Sequence, residues 1–86
     1  MQREPLFPKE VTGTVPRITM TGAERVHIEQ HQGLMAYQEE EVVFRTSLGM
    51  LRISGSGLRF TSYTSGEAIL TGSIQNIGIQ PSGGRV

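Results

Sequence analysis

Residues 41–64, EVVFRTSLGMLRISGSGLRFTSYT, alternate apolar and polar side chains over most of their length, and glycines interrupt the alternation. A period of two puts successive side chains on opposite faces of a strand, a pattern no helix uses to build one apolar face. A turn at Leu48–Gly49 would set Phe44 opposite Ile53 and Thr46 opposite Leu51. A turn at Gly55–Ser56 would set Ile53 opposite Leu58 and Leu51 opposite Phe60. Both hairpins then share one apolar face, which a one-residue slip at either turn would destroy. A longer loop through Ser65–Gly66 brings Leu70, Gly72 and Ile74 onto the same side. The expected fold is all-β: a small antiparallel meander of about six to seven strands, curled into a roll or half-barrel.

The rest of the chain agrees. RITM, RVHIEQ and LMAYQ have strand chemistry, and a long last strand spans Ile69 to Ile79. A bulge near Gln75–Asn76 would restore the alternation of Ile77 and Ile79. A short capped helix over Thr21–His31 is the rival, but Val26 and Ile28 alternate and no apolar residue follows at helical spacing. Residues 1–16 contain Pro5, Pro8 and Pro16 and are expected to form an extended proline-rich arm. The β domain covers residues 17–79, and QPSGGRV (residues 80–86) is a flexible tail.

A chain of 86 residues makes one small domain, which buries only about 60–65% of its unfolded surface. It has three Phe, two Tyr, no Trp and no Cys. Disulfides and cysteine-based metal sites are therefore ruled out, and oligomerisation is the aid left to a thin core. A homo-oligomer is expected. Eight basic and eight acidic residues cancel, so no global field draws the chain to nucleic acid or an anionic membrane. No apolar run approaches the ~20 residues of a membrane-spanning helix, so direct membrane insertion is not expected. The start, MQREPLFPKE, lacks the apolar segment of a secretory signal, and the chain is expected in the cytoplasm.

The candidate chemical groups are few. On a strand, His27 and His31 have Cα atoms about 13 Å apart and cannot share a metal. They are assigned to a solvated face, with His31 beside a loop. Glu39, Glu40 and Glu41 form an acidic loop without the spaced ligands and turn glycine of a calcium site. No G-x-S-x-G motif, acid–base pair or phosphate loop is present. No catalytic residue, metal or cofactor is assigned. The hairpin register also sets Arg45 opposite Arg52 and Arg52 opposite Arg59 on the outer face, an unfavourable row of like charges. Either water solvates the row or an anionic surface covers it, such as the Glu39–Glu41 loop of a second copy. Tyr63, placed on that outer face, joins these residues as a candidate contact.

Taken in order, VPRITMTG, IEQHQGLMAY, EEEVVFRTSLGMLRISGSGLRF and ILTGSIQNIGI resemble the YabP/YqfC family of sporulation proteins, and the YqfC branch most. The resemblance runs from about Val15 to Ile79, and the proline-rich start departs from the more helical, basic leader of such proteins. It implies a mother-cell protein required at an engulfment or coat-assembly stage, linked to a membrane-protein companion. It carries over no catalytic residues. The combined expectation is a non-enzymatic assembly factor, with an anion- or cell-wall-ligand-binding domain using the arginine row as the alternative.

Overall fold

The computed structural model describes residues 15–81, which form six antiparallel strands in one open sheet. They are β1 (Arg17–Thr21), β2 (Arg25–Glu29), β3 (Gly33–Gln38), β4 (Glu41–Thr46), β5 (Gly49–Tyr63) and β6 (Glu67–Pro81). Their spatial order is β1-β2-β6-β5-β4-β3. The all-β expectation holds, and RVHIE is strand. The proposed arm falls almost wholly outside the described residues. Gln80 and Pro81, assigned to the tail, instead extend β6 and pair with Met50 and Gly49.

Two features of the expected register are corrected. The β4–β5 hairpin turns through Ser47 and Leu48, so Phe44 faces Leu51 and Val42 faces Ile53. Thr46 specifies that turn: its hydroxyl donates to the Gly49 carbonyl at 2.7 Å and accepts the Leu48 amide at 3.1 Å. The turn lies one residue earlier than expected, which moves the pairing by two residues and leaves every side chain on its face. The second expected hairpin does not exist. Gly55–Ser56 lies inside β5, which runs on for 15 residues against β6.

The long hairpin bends sharply in its middle. Phe44 pairs with Leu51, and nine further residues of straight strand would carry the chain about 30 Å away to Phe60. Yet the Phe44 and Phe60 rings are 5.9 Å apart. The bend is built from bulges: Gly57–Leu58 oppose Gly72, and Gln75 is an extra residue in β6, as its sequence suggested. Backbone contact there is close enough to require glycine. A Cβ on Gly55 would lie 1.9 Å from the Ser73 carbonyl oxygen, and one on Gly72 would lie 2.7 Å from that of Gly57.

Two hairpin tips brace the bend from either side. The Glu39 and Glu40 carbonyls accept from the Leu58 and Gly55 amides, and the Ala23 and Glu24 carbonyls accept from Ile74 and Gly72. The sheet thereby folds its apolar face onto itself. One half supplies Val42, Phe44, Leu51 and Ile53, the other Val26, Ile28, Ala68 and Leu70, with Leu58 and Ile74 at the bend. Each is nearly or wholly buried. No helix among the described residues is long and apolar enough to cross a membrane.

Candidate functional site

The arginine row does not form. Arg45 faces Met50, Arg52 faces Val43 on one side and Gly78 on the other, and Arg59 faces Thr71. The Arg45–Arg52 alignment depended on a turn at Leu48–Gly49, which the structure places one residue earlier. The Arg52–Arg59 alignment depended on the Gly55–Ser56 hairpin, which the bend replaces with a continuous strand. Each arginine finds separate surroundings. Arg45 Nη2 lies 3.6 Å from Met35 Sδ, and Arg52 makes an ion pair with Glu41 of its own chain. Glu41 pairs with Ser54, beside Val43 and Arg52, so the two charges sit diagonally on the outer face. Arg52 also borders a shallow open groove of about 330 Å³ with Ser54, Asn76 and Gly78.

The acidic run divides by position. Glu39 and Glu40 form the β3–β4 tip, where their carbonyls brace the bend and their side chains are exposed to water. Tyr63 is not on the outer face. Thr61 is an additional bulge residue in β5, and it shifts Tyr63 into register with buried Ala68. Its ring then lies 5.3 Å from Phe60 and 5.2 Å from His31 at the rim of the core. Val43 is 6% exposed and sits in register between Ala36 and Arg52.

His31 is the largest departure among the candidate residues. Gln30 leaves β2 with φ 68°, and the amides of Gln30 and His31 both donate to the Gly66 carbonyl. That turn swings His31 inward, where it is 4% exposed. Nε2 lies 3.0 Å from the Thr64 carbonyl oxygen, and Nδ1 accepts the Gly33 amide at 3.1 Å. Its ring packs against Phe44, with centroids 4.9 Å apart and planes tilted by 42°. The side chain expected to be served by solvent instead joins the two halves of the fold.

His27 does stay on the outer face of β2, and there the register brings together residues 40 positions apart. Glu29 lies directly opposite Glu67 of β6 and opposite Arg17 of β1. His27 Nε2 is 3.2 Å from Glu67 Oε1, and Arg17 Nε is 3.8 Å from Glu29 Oε1. Sequence alone gave no reason to place Glu67 here; only the pairing of β2 with the start of β6 does so.

Apolar side chains are exposed along the β3 edge. Leu34, Met35 and Tyr37 keep 36–48% of their surface in water. Met35 is a bulge residue between Leu34, opposite Phe44, and Ala36, opposite Val43. Tyr37 leans over the core, its ring 5.1 Å from Phe60 and its hydroxyl donating to the Leu58 carbonyl at 3.4 Å. Among the described residues β3 is last in the sheet, and no described strand pairs with its outer row of backbone donors and acceptors, the situation of an edge strand.

A family model described as the YabP family matches residues 12–85. An uncharacterized protein of Bacillus subtilis (strain 168), YqfC, is 36% identical over 68 residues, which span 79% of this chain and 73% of that protein. No solved structure matches the chain. The family match and the relative together support a sporulation-associated protein.

Proposed function

Because the chain belongs to the YabP family, we propose that it is a non-enzymatic assembly factor of endospore formation. It acts as a small β module that binds a protein or membrane-protein partner, or a second copy of itself, in the mother cell. The observation that carries this reading is the β3 edge, which among the described residues combines backbone groups without a strand partner with exposed Leu34, Met35 and Tyr37. Strand addition at such an edge draws affinity from main-chain hydrogen bonds and specificity from the neighbouring side chains. The alternative of an anion site on aligned arginines loses its geometry, since Arg45, Arg52 and Arg59 face different partners and Arg52 is paired with Glu41.

The test is affinity purification of the tagged chain from sporulating cells, beside a Met35→Lys variant. Met35 is exposed and outside the core cluster, so a charge there disturbs the edge more than the fold. A partner or second copy should co-purify with the parent chain and be lost from the variant. A chain that purifies alone, or a variant that retains every partner, defeats the proposal.

A further inference from the structure

We propose that His27, Glu29 and Glu67 form a binding site for a divalent transition-metal cation, with Zn²⁺ the best match. The three offer one imidazole nitrogen and two carboxylates, and one ligand atom from each lies within 4.8 Å of the others. Zinc bound at about 2.0–2.2 Å with tetrahedral angles holds its ligand atoms roughly 3.3–3.6 Å apart. His27 Nε2 and Glu67 Oε1, at 3.2 Å, are already near that separation. Closing the third side needs only a turn of the Glu29 carboxylate. Its neighbour Arg17 holds it loosely, at 3.8 Å from a side chain that is 80% exposed.

Electrostatics points the same way. Glu29 and Glu67 are directly opposite on adjacent strands, and like charges so placed destabilise a sheet. Among the described residues Arg17 pairs with Glu29 and not with Glu67, and the basic group beside Glu67 is His27, which is cationic only when protonated. A divalent ion would neutralise both carboxylates together and use His27 in its neutral form. The imidazole selects against magnesium and calcium, which prefer all-oxygen shells, and water would fill the remaining position. Strands β2 and β6 hold the ligands at fixed register, and the side chains remain open to solvent. His31 takes no part, since both of its ring nitrogens are engaged with Thr64 and Gly33.

The test is calorimetric titration of the full chain with ZnCl₂, with thermal melts run beside it and MgCl₂ as the control salt. One zinc per chain is expected, and at 100-fold excess over its Kd the melting temperature should rise by on the order of 10 °C. His27→Ala and Glu67→Gln should each weaken zinc binding at least tenfold. Neither should lower the metal-free melting temperature appreciably, and Glu67→Gln removes a repulsion. The proposal is overturned if zinc does not bind by about 1 mM, the weak end for protein cation sites. It is equally overturned if magnesium gives the same shift, or if the two variants bind zinc like the parent.

Discussion

The Nε2 of His31 lies 3.0 Å from the carbonyl oxygen of Thr64, 33 positions further along the chain. With Nδ1 accepting the Gly33 amide, the ring must carry its proton on Nε2 and donate it to Thr64. One imidazole thus ties the β2–β3 connection to the β5–β6 loop while its ring packs against Phe44. His31→Ala should cost about 2–4 kcal/mol, combining a buried cavity with two polar groups left unpaired. His31→Phe keeps the ring contacts and should cost about 1–3 kcal/mol for the lost bonds. Urea denaturation measures both. A neutral His31→Ala would mean that the joint contributes nothing.

Glycine at the bend gives a sharper contrast. A Cβ on Gly55 meets the Ser73 carbonyl, and Gly72 combines φ +139° with a clash against Gly57. Gly55→Ala and Gly72→Ala should each cost at least about 3 kcal/mol or prevent folding, since backbone cannot yield as a side chain can. At Gly78 an added Cβ has nothing within 4 Å, so Gly78→Ala should melt close to the parent. Thermal melts of the three variants decide. Similar melting temperatures would remove the bend from the fold's essentials.

Burial separates two phenylalanines that have similar sequence surroundings. Phe44 is wholly buried, whereas Phe60 packs against the cluster only in part. Phe44→Ala should therefore cost about 3–5 kcal/mol and Phe60→Ala distinctly less. Sequence alternation placed both on the core face without ranking them. Equal losses in chemical denaturation would show that Phe60 carries more of the core than its exposure implies.

The bend also explains what the sequence revealed and what it concealed. Leu51 and Ile53 occupy odd positions and Leu58 and Phe60 even ones, so the inward side changes parity between them. A tight turn and a bulge change parity alike, and the glycines of ISGSGL suit either. Alternation therefore identified the core face correctly and mistook one bent strand for a hairpin. Long-range pairs were hidden for a different reason. The contacts of His31 with Thr64 and of Glu29 with Glu67 depend on how β2 registers with β6, and neither segment encodes that alone. Gln75 was legible because its bulge restores a visible apolar repeat within a single strand.

The fate of the arginines and the β3 edge can be separated by experiment. Arg52 and Glu41 pair within one chain with side chains 50% and 39% exposed, and exposed pairs contribute at most about 1 kcal/mol. Arg52→Glu should leave the fold intact and lower stability by less than that, and restoring the pair as Arg52→Glu with Glu41→Arg should recover it. Neither change should alter the oligomeric state, because no arginine row exists for a second copy to cover. Met35→Lys bears on assembly directly. Lysine on an edge strand opposes the addition of another strand, and Met35 lies at the β3 bulge with 45% of its surface exposed. Size-exclusion chromatography with light scattering should show the parent chain as a homo-oligomer at micromolar concentration. It should show Met35→Lys as a monomer with an unchanged circular dichroism spectrum, and Arg52→Glu should match the parent. If Arg52→Glu dissociates the oligomer while Met35→Lys does not, the contact lies on the outer face of β5, and the β3 edge is not the assembly surface.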